Sequence, residues 1–267
     1  MTARPMSTSD RSLAVLKLFS LERPVWTAEE IASALSVSLA TAYRYIGSLD
    51  EAGLVAAARV GQYTLGPAVI QLDRQIQMTD PLLTAARPVM ADLSKYAPGG
   101  SAILLCRPAG DCVLCIDQVL TPGPQIPVSY ERGRPMPLLY GATSKVILAH
   151  QPARAVRSLY DAHTAEIAKA GLGTTLEKFR SVLTAWRKAG FLVTHSDVDP
   201  GRTGIAAAIL NEERVAIGSL SYVVSDTTEE RLITRLANLV VAGAREIEAT
   251  LVNSGLPVAA ARNPDAA

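Results

Sequence analysis

The chain has 267 residues, longer than most single small domains, so about two domains are expected. Hydrophobic residues make up 49% and charged residues 19%, the mix of a folded globular protein, and no apolar run approaches the roughly 20 residues a membrane helix needs. The net charge of +1 excludes a strongly basic nucleic-acid binder and an acidic protein alike.

The opening MTARPMSTSDRS lacks the basic start, apolar stretch and cleavage site of a secretory signal, and three cysteines suit a reducing compartment, so a cytoplasmic location is expected. RSLAVLKLFS (11–20) spaces its leucines, Val15 and Phe19 as a partly buried first helix starting at Ser9 or Asp10. Thr27 and Glu30 form a capping-box pattern ahead of a second helix, which begins near Ala28 and stops around Ser36. Ser38 then caps a third helix that ends at Gly53. That helix sets Ser38, Thr41, Tyr43 and Arg44 on one side and Ala42, Tyr45, Ile46 and Leu49 on the other. LVAAARVGQYTLG reads as two short strands turning at Val60–Gly61.

Helices, turn, helix and hairpin make a winged helix-turn-helix over residues 1–66. Residues 67–80 read as a connecting helix carrying Val69, Ile70, Leu72 and Ile76. Asp80-Pro81 starts another helix that runs to Gly99-Gly100. From there to residue 254 strands and helices interleave. SAILLCRP and DCVLCIDQVL form a hairpin, QIPVSYERGRPMP a loop or short strand, and GATSKVILAHQ a helix. A longer helix capped by Thr174 and Glu177 runs to Gly190. Three strands follow, FLVTHSD, GIAAAILN and RVAIGSLSYVV, then a final helix capped by Asp226 and Glu229. Residues 255–267 lack any period and read as a disordered tail. The fold class is α+β, with a mixed or antiparallel sheet in the larger domain.

A helix entering a major groove presents small polar groups at its first turn and longer donors on the same face, which Ser38, Ala40, Thr41, Tyr43 and Arg44 satisfy. An ordinary three-helix packing unit with a solvated face would share the pattern. Over residues 1–66, Arg4, Arg11, Lys17, Arg23, Arg44 and Arg59 are balanced by Asp10, Glu22, Glu29, Glu30, Asp50 and Glu51. One copy should therefore bind DNA weakly, and tight binding calls for two or more on one site.

Cys112 and Cys115 fall on opposite faces of a strand, so they cannot share one metal without a bend, and packing is their expected role. GATSKV lacks the second glycine of a phosphate loop. Thr143 and Ser144 nevertheless lie at a helix start, where free amides suit an anionic or carbonyl group; a hydroxyl that only caps the helix fits equally. His195, beside Thr194, Asp197 and Asp199, has no recognisable nucleophile partner. Ser219 and Ser221 share one strand face with Ile217, facing either a cavity or solvent.

The segments RSLAVLKLFS, EEIASALSVSLATAYRYIGSLDEAGLV, GQYTLGPAVIQL, RGRPMPLLYGATSKVILA, GFLVTHSDVDPGRTGIAAAIL and AIGSLSY, in this order, resemble the IclR family of bacterial transcription regulators over nearly the whole chain. The resemblance implies a winged helix joined by a linker helix to a GAF-like α+β effector-binding domain (81–254). It implies a homodimer or homotetramer dimerising through the N-terminal region, and effectors that are small organic acids or aromatic catabolic compounds. By the same resemblance Ala142 and Thr143 supply amides to the effector, Thr194 and Gly204 lie on the bordering strand, and Ser219 and Ser221 lie on the last strand. Tyr130 and His195 complete the expected pocket. Thr194 replaces an acidic residue of some relatives, Gly204 a larger one, Arg202 an apolar one and Ala208 a proline; with Tyr130 and Tyr140 nearby, a bulky or aromatic effector is favoured.

The resulting expectation is a repressor that binds double-stranded operator DNA through Ser38, Ala40, Thr41, Tyr43, Arg44, Arg59, Gln62 and Tyr63, is controlled by a small molecule, and uses no cofactor, metal or catalysis. Two rivals remain open on sequence: an enzyme using His195 or Cys106 in the C-terminal cavity, and a winged helix that binds a protein partner.

Overall fold

The computed structural model describes residues 8–124 and 127–255, so the tail expected to be disordered lies, from residue 256 on, outside the described residues. Two compact units divide between Thr79 and Asp80.

In the first unit, α1 (Thr8–Ala14) tightens into a 3-10 turn over Val15–Leu18, so the first helix starts and ends earlier than its sequence suggests. A two-residue strand, β1 (Trp26–Thr27), precedes α2 (Ala28–Leu35). The capping box is formed: Glu30 N–H donates to Thr27 Oγ1 at 3.3 Å and Thr27 N–H to Glu30 Oε2 at 2.9 Å. Ser36, left-handed at φ 53°, closes α2 and turns the chain into α3 (Leu39–Glu51), whose N-cap is Ser38. Ala42, Tyr45, Ile46 and Leu49 are buried with Val15, Ile31 and Val55, so the apolar face of α3 holds residue by residue; opposite it Ser38, Tyr43 and Arg44 are exposed and Thr41 is half-buried. β2 (Val55–Arg59) and β3 (Gln62–Leu65) form the hairpin, and β1 adds to β3.

Gly66 is held where no side chain fits. A Cβ there would lie 2.2 Å from the Gly53 carbonyl oxygen, because Gly66 N–H reaches Leu54 O and Ala68 N–H reaches Gly53 O as the wing folds back on the end of α3. α4 (Ala68–Thr79) follows and buries none of its residues.

The second unit is an antiparallel sheet of six strands in the order β6-β5-β4-β9-β8-β7, with helices on both faces. α5 (Pro81–Ser94) leads into β4 (Ala102–Ala109) and β5 (Cys112–Leu120), then β6 (Pro135–Pro137) and α6 (Gly141–Ala149). α7 (Ala153–Lys169), α8 (Leu176–Ala189), β7 (Leu192–His195), β8 (Arg202–Leu210), β9 (Ala216–Ser225) and α9 (Glu230–Ser254) complete it. One core joins α5 and α9 to the sheet, and the other joins α6, α7 and α8 to its opposite face. Strands covered on both faces read as unbroken apolar runs, which is why SAILLC and GIAAAIL show no alternation.

Several boundaries differ from the sequence reading. α5 ends at Ser94, because Gly100, bonded to Pro122 O, belongs to the turn into β4. Thr175, not Thr174, caps α8, accepting from Lys178 N–H at 3.2 Å. α9 has no side-chain cap; Asp226 instead donates its N–H to Gly201 O. α7 went unpredicted. Ile217 packs with Leu220 and Tyr222 against α5 and α9, because a register shift between Ile209 and Leu210, opposite Gly218 and Ala216, turns it away from the Ser219 and Ser221 face.

Candidate functional sites

On α3 the exposed positions Ala40, Tyr43, Arg44 and Gly47 follow one another at i, i+3, i+4 and i+7, a continuous stripe one helix face wide. Tyr43 is 46% exposed. Ser38 Oγ accepts from Thr41 N–H at 3.2 Å and lies 2.9 Å from Thr41 Oγ1, so both hydroxyls are partly committed to the helix start. Gly47, which sequence reasoning passed over, would meet nothing with an added Cβ, so the backbone there is open to close approach. Its spacing from Ala40 and Tyr43 was the available signal. On the hairpin, Arg59 is exposed beside the fully exposed Val60 at the tip. Gln62 and Tyr63 are half-buried; Tyr63 pairs with Trp26 and Ala57 and packs against the helical core. Its ring is therefore mainly structural.

The second unit contains a cleft, open to solvent, at the start of α6. Its walls are Tyr130, the first turn of α6, Thr194 on β7, the loop after β7 with Asp197, Val198 and Asp199, Arg202 and Gly204 on β8, and Val223. Of the residues expected there, Tyr130, Ala142, Thr143, Thr194 and Gly204 are present. Tyr140 is only partly buried against the α6 side of the core and is not a wall residue.

His195, Ser219 and Ser221 lie elsewhere. His195 follows Thr194 on β7, so its ring takes the other face, with Nδ1 2.9 Å from Thr203 Oγ1. Ser221 is fully buried behind Thr143, whose hydroxyl donates to it at 3.0 Å. Ser219, also fully buried, has no hydrogen-bond partner for its hydroxyl among the described residues.

The first turn of α6 exposes amides in the direction that favours negative charge. Here two of those amides already have partners: Gly141 N–H donates to Asp197 Oδ2 at 2.7 Å and Ala142 N–H to Thr194 Oγ1 at 3.1 Å. Lys145 Nζ, one turn on, donates to the same Asp197 oxygen at 2.6 Å. Gly141 sits at φ 76°, and a Cβ there would strike Tyr130 Oη and Val198. Gly204 lets β8 approach α6, its missing Cβ lying 3.3 Å from Thr194 Oγ1 and 3.5 Å from Ala142 Cβ.

Tyr130 Oη donates to Tyr140 O and lies 2.8 Å from Ser144 Oγ, and burial raises its phenol above the usual range. Asp199 accepts from Ser129 N–H at 2.9 Å and Ser129 Oγ at 2.5 Å. Arg202, 4% exposed, is lowered by burial, with Asp199 and Asp226 acting against that shift. The cleft wall thus offers one cation, two carboxylates and a phenol around a small apolar surface, with a second cation, Lys145, bonded to the Asp197 carboxylate. The loop carboxylates were missed as site members because Asp197 and Asp199 were weighed in the sequence only as partners of His195.

Cys106 and Cys115 are buried register partners on β4 and β5, and burial pushes the Cys106 thiol well up. A protonated, inaccessible thiol is a poor nucleophile. Cys112 is only half-buried, as alternation on β5 requires.

Two family models cover the chain. The one described as "IclR helix-turn-helix domain" matches residues 8–58, and the one described as "Bacterial transcriptional regulator IclR C-terminal" matches residues 76–249. The chain is 29% identical over 227 residues to the HTH-type transcriptional regulator KipR of Bacillus subtilis, covering 83% of this chain and 88% of that one. It is similar in fold to the IclR transcriptional regulator of Alicyclobacillus acidocaldarius, at 20% identity and a TM-score of 0.74, over 91% of this chain and 98% of that one. An IclR homolog of Microbacterium hydrocarbonoxydans, complexed with 4-hydroxybenzoate, matches with a TM-score of 0.71 at 19% identity, over 92% and 100% of the two chains.

Proposed function

The chain belongs to the IclR family of bacterial transcriptional regulators, with an N-terminal DNA-binding helix-turn-helix and a C-terminal effector-binding domain, and from that premise we propose that it is an operator-bound repressor released by a small organic acid, preferentially an aromatic one. The observation that carries the proposal is the α3 stripe of Ala40, Tyr43, Arg44 and Gly47. It is narrow and smooth enough for a major groove and carries one long cationic donor. Arg44 reads a base edge or a phosphate, Tyr43 and Ala40 make close contacts beside it, Ser38 and Thr41 hold the helix start, and Arg59 reaches the backbone from the wing. Gln62 and Tyr63 support the hairpin from behind.

The effector occupies the cleft at the start of α6, between Tyr130, Thr143, Thr194 and Gly204. The relative that carries 4-hydroxybenzoate supports an aromatic acid as the class to try first. Release requires only that the effector favour one arrangement of a DNA-binding pair over another; a coupling of about 1–3 kcal/mol changes operator binding roughly 5- to 150-fold.

The test is an anisotropy titration against DNA upstream of the chain's own gene and its divergent neighbour, at several salt concentrations. Arg44→Ala, at an exposed position whose guanidinium lies 5.8 Å from the Tyr45 ring, should change the melting temperature little, weaken binding, and reduce the salt slope by about one per protomer. Binding insensitive to both salt and this substitution would refute the DNA-binding role of α3.

A further inference from the structure

One anion seat at the cleft, formed by the Gly141 amide and Lys145, is filled by the chain itself. A single oxygen of Asp197 accepts from the Gly141 amide and from Lys145 Nζ, the pair of donors that would hold a free carboxylate. The side chain of Lys145 is 12% exposed and that of Asp197 25%, so the contact is largely withdrawn from water. Asp197 is not part of α6. It comes from the loop between β7 and β8, which is closed by its own bonds, Ser196 N–H to Arg202 O and Gly201 N–H to Ser196 Oγ.

Charge decides what can replace it. Asp197, Asp199 and Arg202 line the cleft, Lys145 is paired to Asp197 without being a wall residue itself, and Asp226 also acts on Arg202. Moving Asp197 away leaves Lys145 buried without a counter-ion, which is strongly unfavourable. A neutral ligand cannot compensate for that loss, whereas a carboxylate restores both the ion pair and the amide bond.

We infer that Asp197 is a resident competitor: an effector carboxylate enters by displacing its side chain from Gly141 and Lys145, and Asp197 thereby sets a minimum affinity and selects anionic ligands. The inference rests on the reading of this cleft as the effector site. It narrows the ligand to a monocarboxylate whose apolar body lies against Val198 and Val223.

The experiment removes the competitor. Asp197→Ala should melt below the parent protein, and sodium benzoate at constant ionic strength should raise its melting temperature saturably, with an apparent affinity at least tenfold tighter than the parent's. Benzamide and sodium chloride should do neither. Asp197→Asn, nearly the same shape without the charge, should shift in the same direction and carries the test if the alanine variant does not fold. Equal benzoate responses in parent and variants, or none in any, overturn the inference.

Running the same solutions in the operator titration separates the two readings. A gain of benzoate binding in the variants with no change in DNA affinity keeps the seat and removes its effector role. Release of the parent from DNA by benzoate, without a gain in the variants, keeps the effector role and removes that of Asp197.

Discussion

Ser219 and Ser221 have the same burial and chemistry and differ only in partners. Ser221 Oγ receives the Thr143 hydroxyl, while Ser219 Oγ has no hydrogen-bond partner among the described residues. A buried hydroxyl without a partner costs about 1–3 kcal/mol, whereas an ordinary buried hydrogen bond contributes about 1 kcal/mol net. Ser221→Ala should therefore lower the urea midpoint by an amount equivalent to about 1 kcal/mol, and Ser219→Ala should leave it unchanged or raise it. A loss at Ser219 as large as that at Ser221 would show that its hydroxyl is satisfied in solution. Two serines on one strand face were legible in the sequence; the difference between them was not, because it depends on how far along β9 the first turn of α6 reaches.

At the scale of elements, legibility followed local chemistry. α2 and α3 were readable because their caps are encoded by Thr27, Glu30 and Ser38 within three residues of the bonds they make. α7 was not, since it buries only Val156 and Ile167 along 17 residues and breaks helical geometry at His163, leaving almost no apolar period to detect. The cleft was half legible: Ala142, Thr143, Thr194 and Gly204 lie on regular elements, but the Asp197 contact joins positions 56 apart through a loop without periodicity. Gly66 shows the opposite case, a single residue on which an element junction depends. With a Cβ placed 2.2 Å from Gly53 O, Gly66→Ala must push the wing off the end of α3, and overpacking of this kind costs about 1–3 kcal/mol or more. The expected result is a lower urea midpoint for the first unit, followed through Trp26 fluorescence with Trp186 replaced by Phe. An unchanged midpoint would mean that the wing shifts freely.

For the whole molecule, the balanced charge of the first 66 residues and the single cation on the α3 stripe leave one copy short of the phosphate neutralisation that gives tight DNA binding. Two copies on one site would supply the deficit, because tying a second reading head to the first raises affinity by roughly 10²–10⁴ without any new contact type. The surface best suited to join them is α4. Val69, Leu72 and Ile76 lie at i, i+3 and i+7 on one stripe, Leu72 and Ile76 are 49% and 51% exposed, and no α4 residue is buried. An apolar helical stripe left in water is a characteristic of an association surface. A pair joined through α4 should fall to a monomer in analytical ultracentrifugation when Leu72 and Ile76 are replaced together with Glu. Because α4 contributes nothing to the buried cores, the two units should keep their melting transitions. Operator affinity should fall by about a hundredfold or more, while the residual binding of the monomer keeps its dependence on Arg44. A variant that remains dimeric would place the joining surface outside α4, and one that becomes monomeric with undiminished affinity would show that a single winged helix suffices.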